Sequence, residues 1–187
     1  MSPTLAPMRL GLLVALALAS SWADPAVAQT VYEPGYMRGA AIEAGTELVL
    51  VYIGQSTCGP CTWDSFKADL EAAKLALAAR AEADSMRFAV IGVAAEHNVE
   101  EGLAFLRSSG GFDELAIGRN WFNSAVLSHL WRPDGLDERA IGFPSVIVFE
   151  RDMTMAETIA ASPPRYRVEL AGADAVSAWV AAGAPLD

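Results

Sequence analysis

Three stretches of the chain are almost continuously apolar: Leu48–Val49–Leu50–Val51–Tyr52–Ile53, Phe88–Ala89–Val90–Ile91–Gly92–Val93 and Phe143–Pro144–Ser145–Val146–Ile147–Val148–Phe149. Runs of that length, partly β-branched, predict strands buried on both faces. Between the first two, Trp63, Phe66, Leu70, Ala73 and Leu77 recur at helical spacing. They predict a helix from about Pro60 to Arg80, with the core favoured over a peptide-docking surface as the place of Trp63 and Phe66, and Pro60 suits its first turn because a missing N–H costs nothing there. Asn98 opens a second helix, with Glu101 as a capping-box-like partner, ending near Gly110–Gly111. A short strand is expected around Leu115–Ile117, then a helix capped by Asn120 and running through Trp131. Arg132–Pro133–Asp134–Gly135 reads as a loop. Beyond Phe149 the chain should turn around Asp152, with Thr154–Ala160 as an antiparallel partner strand. Pro163–Pro164 marks another loop, and a last helix runs from about Asp174 to Ala182. Strands alternating with helices, then a hairpin and a terminal helix, describe one α/β domain.

The first 28 residues carry a different pattern: Arg9 and the free amine, an apolar run from Leu10 to Ala19, then Ala26–Val27–Ala28. Positive, apolar and small-x-small in that order is the form of a secretory signal peptide, with cleavage expected after Ala28. The run is about half of the roughly 20 apolar residues a bilayer-spanning helix needs, so no stable membrane anchor is expected after cleavage. The expected organisation is a signal peptide at 1–28, a lead-in at 29–45 and one domain at 46–187, exported to a periplasm.

A chain 53% hydrophobic and 19% charged buries a core and is not a disordered segment. Its net charge of -10 repels phosphate backbones, which argues against nucleic acid as a partner. The sequence holds two cysteines and two histidines. That is too few for a disulfide scaffold, and a four-ligand zinc site would need both histidines or carboxylates. No metal and no bound cofactor are expected.

The two cysteines fall in Cys58–Gly59–Pro60–Cys61, where an apolar strand hands over to a helix. Unpaired N–H groups at a helix start favour an anion, so a thiolate at Cys58 is stabilised below the ordinary thiol pKa of about 8.5. Cys58 is the expected nucleophile, and Cys61, one turn further in, is placed to resolve a mixed disulfide. A purely structural disulfide is one alternative, but closing a four-residue loop is worth only about 2 kcal/mol against roughly 4 to 5 for a long one. Metal binding by both thiolates is another, and it would need His97 or His129, which are distant in sequence.

The segment Leu48–Cys61 resembles the active-site strand, turn and helix of thioredoxins, and Ile141–Gly142–Phe143–Pro144–Ser145–Val146–Ile147–Val148–Phe149 resembles that family's cis-proline segment. The resemblance covers most of the core of residues 46–182 and implies a thioredoxin fold, a central mixed sheet flanked by helices, with a redox-active disulfide. It implies that Pro144 is cis, faces the cysteines, and with Phe143 positions a substrate polypeptide through main-chain groups. The 86 positions from Cys58 to Pro144 leave room for a helical and strand insertion before the cis-Pro strand. That insertion is similar to the one in extracytoplasmic TlpA/ResA-like thiol–disulfide oxidoreductases. Thr57 stands where thioredoxins have Trp and is counted among the substrate-facing residues. Tyr52 stands where they have a buried Asp. Asp64 takes the place of a Glu found in the TlpA/ResA-like proteins, and either accepts the Cys61 proton or only complements the helix start.

Taken together, the resemblance implies an enzyme reducing disulfides in envelope proteins, re-reduced by a membrane thiol donor. A disulfide oxidase or isomerase, or a binding module without turnover, are the alternatives.

Overall fold

The computed structural model describes residues 31–35, 43–132 and 142–186. The expected signal peptide, much of the lead-in and the Pro133–Asp134–Gly135 loop lie outside the described residues. Among the described residues, six strands form one mixed sheet: β1 (Gly45–Gly54), β2 (Arg87–Ala94), β3 (Glu114–Ile117), β4 (Ser145–Met155), β5 (Ile159–Ala161) and β6 (Arg165–Ala171). The order is β3-β2-β1-β4-β5, with β6 also paired to β4. β2 runs parallel to β1 and β3, whereas β4 is antiparallel to β1, β5 and β6. The helices are α1 (Gly59–Thr62), α2 (Asp64–Ala83), α3 (Val99–Ser108), α4 (Ser124–His129) and α5 (Ala173–Ala181).

The unbroken apolar run of β1 follows from its central place. Successive side chains of a strand point to opposite faces, and here both faces are covered. Leu48, Leu50 and Tyr52 pack with Phe66 and Leu70 of α2, Phe105 and Leu106 of α3, and Val176 and Trp179 of α5. Val49, Val51 and Ile53 pack with Val126 and Leu130, from α4 and its C-terminal end. A charged group is sealed into the first of these layers. Lys74 of α2 is fully buried, with Nζ 2.6 Å from Glu71 Oε1, 3.1 Å from the Gly111 carbonyl oxygen and 4.2 Å from the Phe112 ring centre. The other Glu71 oxygen accepts the Tyr32 N–H, so this pair also fixes the lead-in.

The strands at β1, β2 and β3 and the terminal helix lie where the hydrophobic pattern puts them, and the remaining elements depart from it in four places. The long helix after Pro60 is broken at Trp63, whose backbone is extended (φ -67°, ψ 135°). The Thr62 hydroxyl takes the Gly59 carbonyl, and the Trp63 N–H drops back to the Pro60 carbonyl, so α1 closes after one turn. Trp63 is consequently 52% exposed rather than packed in the core, while Phe66 is buried as expected. The cap expected at Asn120 is at Asn123, whose Oδ1 accepts the Ala125 N–H; Asn120–Phe122 forms a separate 3-10 turn. The chain does not turn at Asp152: the Thr46 hydroxyl and Arg165 hold its carboxylate, and β4 continues to Met155. Finally, β6 follows Pro164 where no strand was expected, although Arg165–Tyr166–Arg167–Val168–Glu169–Leu170 alternates polar and apolar as a half-buried strand should.

Candidate functional site

Sheet register gathers the site at the C-terminal end of β1. Ile53 pairs with Ser145, so one further step sets Pro144 beside Gly54. On the other flank Gly54 pairs with Ala94, and the Ala95 N–H donates to the Gly54 carbonyl at 2.9 Å. The chain leaving β1 turns through Gln55, whose carbonyl accepts the Cys58 N–H, and enters α1. A Cβ on Gly54 would lie 2.5 Å from the Tyr52 hydroxyl, so glycine here lets the Tyr52 ring fold back beneath the turn.

Cys58 and Cys61 are joined as a disulfide. Cys58 is the cap of α1 and partly exposed, while Cys61 is fully buried. The Cys61 N–H donates to Cys58 Sγ at 3.3 Å. Because α1 is one turn long, anion support at Cys58 comes from this local N–H and not from the dipole of a long helix, which is a correction to the expected continuous helix. Thr57 is exposed next to the pair.

The Phe143–Pro144 peptide bond is cis. Pro144 is buried, and its carbonyl accepts the Gly172 N–H at 2.7 Å, while the Ser145 hydroxyl donates to the Gly142 carbonyl. β4 begins only at Ser145, so Phe143 lies ahead of the ladder. Its ring stacks on Trp121 with centres 4.3 Å apart, and Trp131 meets Trp121 edge-on.

Asp64 is not drawn in to the buried thiol. Its carboxylate is fully exposed in the first turn of α2, 3.9 Å from Lys67 Nζ, which favours the simpler role of complementing a helix start. Tyr52, in the acid's expected place, is fully buried against Phe66, Phe105 and Phe112. Burial pushes its phenol well above the ordinary tyrosine range, with nearby Ser109 opposing weakly, so it stays neutral.

Two residues join the site that sequence patterning gave no reason to include. Glu96 lies two residues past the end of β2, is 4% exposed, and its Oε1 accepts the Ser56 N–H at 2.5 Å. Trp121 comes from the 3-10 turn, whose Asn120 N–H donates to the Glu96 carbonyl. Lone Glu and Trp residues in connecting segments carry no spacing signal; only strand register brings them here. Among the described residues no group of three or more His, Cys, Asp or Glu is gathered to hold a metal ion. None of the helices among them is long and apolar enough to cross a membrane.

Comparison with protein-family models, with curated proteins and with solved structures finds no match.

Proposed function

We propose that this chain is a thiol–disulfide oxidoreductase of thioredoxin-like fold, exported to the periplasm, that reduces disulfides in envelope proteins. The observation that carries this is the pairing of a partly exposed Cys58 with a fully buried Cys61, at the strand end where Phe143 and Pro144 also lie. An outer sulfur reachable by substrate and an inner one shielded from it suit sequential attack better than a structural staple, which gains little from so short a loop.

In the reduced form, the Cys58 thiolate attacks one sulfur of a substrate disulfide. A mixed disulfide forms and the first substrate sulfur leaves as a thiolate, taking a proton from solvent. Cys61 Sγ then attacks Cys58 Sγ, the Cys58–Cys61 bond closes, and the second substrate sulfur leaves and takes up the proton that Cys61 gives up. The substrate gains two electrons and the cysteine pair loses two. Restoring the pair requires a dithiol donor, proposed to be a membrane protein, because the periplasm itself is kept oxidising. The Cys61 N–H aimed at Cys58 Sγ favours the thiolate over the thiol. Phe143 and Pro144 are proposed to align the substrate chain, with Thr57 at the rim; Asp64 is given no part in proton transfer.

Insulin reduction by wild type and by Cys58→Ser tests the proposal. Turnover by the wild type and loss in the variant is expected, and equal rates would remove the enzyme. The potential of the couple tests direction: near -270 mV for a reductant and near -120 mV for a strong oxidant. Cys61→Ser should accumulate the mixed disulfide and so identify the substrates.

A further inference from the structure

A charge near a dithiol changes the stability of the thiolate and with it the balance between dithiol and disulfide. Neither of the two positions where the resemblance would place an acid supplies such a charge here. Tyr52 is a neutral phenol, and Asp64 is paired with Lys67 in solvent. Of the two carboxylic residues buried among the described residues, Glu47 and Glu96, the first lies at the opposite end of β1, where it pairs with Arg87 and Arg151. Glu96 lies at the cysteine end, with Oε1 on the Ser56 N–H, two residues before Cys58.

We infer that Glu96 is a positioning residue for the Cys58–Cys61 couple: it clamps the turn that presents Cys58, and its charge holds the couple toward the reducing side. The inference rests on the oxidoreductase reading and adds to it. The clamp is braced from behind, since the Glu96 carbonyl accepts the Asn120 N–H and Arg119 and Asn120 both adopt left-handed backbone (φ 60° and 50°). Ser56 and Cys58 are two residues apart, at most about 7 Å between their Cα atoms, and the Cys58 N–H on the Gln55 carbonyl closes this stretch into a turn, so the carboxylate on the Ser56 N–H is a close neighbour of the Cys58 segment. A negative charge there opposes the thiolate, destabilises the reduced form and favours the disulfide. The other ionisable groups around it are Glu100 and Glu101 in the first turn of α3, which packs against Glu96 at Gly102, His97, with Nε2 2.9 Å from Asn120 Nδ2, Arg119, and the Asp64–Lys67 pair on α2. None of these is shown bonded to the Gln55–Cys58 turn, whereas Glu96 is.

The test compares wild type, Glu96→Gln and Glu96→Asp, each equilibrated with glutathione buffers, with thiolate absorbance followed against pH. The amide of Glu96→Gln still accepts the Ser56 N–H but carries no charge. It should weaken the disulfide against glutathione about tenfold, which is about 30 mV toward oxidising, and lower the pH at which Cys58 ionises. Glu96→Asp keeps the charge and should stay within about threefold of wild type. An unchanged constant in Glu96→Gln overturns the inference while leaving wild-type insulin turnover, and thus the oxidoreductase reading, intact. A wild type that fails to reduce insulin overturns the reading itself. Should Glu96→Gln not fold, wild type alone decides. The carboxyl carbon resonance of Glu96 should respond where Cys58 ionises in the reduced protein and show no such response in the oxidised protein. Identical titrations in both states overturn the inference.

Discussion

Stability should fall measurably between pH 7 and pH 5 because of one side chain, His129. Its ring stacks on Phe149 with centres 5.5 Å apart and meets Tyr166 edge-on, with Nδ1 3.5 Å from the Tyr166 hydroxyl. Burial first, then the charges of Arg132 and Arg151, bring its pKa down from 6.5 to about 4. Between those values the unfolded chain binds a proton that the folded chain refuses, so stability declines as pH falls through the window and the loss is complete below about 4. The full shift corresponds to about 2 kcal/mol at pH 5, and the solvent-facing edge of the ring reduces this to between about 1 and 2 kcal/mol. The window is unusually clean, because the only other histidine in the chain is His97 and ordinary carboxylates titrate lower. Urea unfolding followed by tryptophan fluorescence should show the midpoint moving down by roughly 0.5–1.5 M from pH 7 to pH 5. His129→Phe keeps the stacking and cannot titrate, so its midpoint should stay nearly constant. A wild-type profile as flat as that of His129→Phe would refute the reasoning.

Lys74→Met should cost about 1–3 kcal/mol in urea unfolding, because it takes the cation from the half-buried Glu71 carboxylate and the donor from the Gly111 carbonyl. Adding Glu71→Leu should recover a large part of that loss, and a single variant costing under about 1 kcal/mol would show the pair to be dispensable. Trp121→Ala removes a stack worth about 0.5–1.5 kcal/mol beyond area burial and bares one side of Phe143. In insulin reduction it should raise KM severalfold with kcat within about twofold; a fall in kcat at constant KM would mean that Trp121 does not shape docking.

Much of the sheet could be read directly from residue order. Positions 48–53 are apolar without interruption because both faces of β1 are covered, and the helical stripe of Phe66, Leu70, Ala73 and Leu77 is buried as its spacing requires. The end of that stripe was misleading. Trp63 fits the period, yet the competition between the Thr62 hydroxyl and the backbone for Gly59 ends α1 one residue earlier. β6 is masked in the sequence because Pro163–Pro164 marks a loop and the alternation after it is short and charged. The cysteine pair was legible from its spacing where an apolar strand hands over to a helix, whereas the cis bond before Pro144 was implied only by the resemblance of its segment to the thioredoxin one. Glu96 was not legible, because its place depends on Gly54 and Ala94 being level in a parallel pair, a long-range fact that no local spacing encodes.

The 3-10 turn at Asn120–Phe122 touches the cysteine loop's anchor with its backbone and Phe143 with an indole ring. Chimaeras that exchange the β3–α4 crossover would therefore alter both sides of the candidate site together. Under the proposed function, an engineer seeking new selectivity would do better to keep Arg119 and Asn120 and randomise Trp121 alone, since the Asn120 N–H holds the Glu96 carbonyl while Trp121 stacks on Phe143.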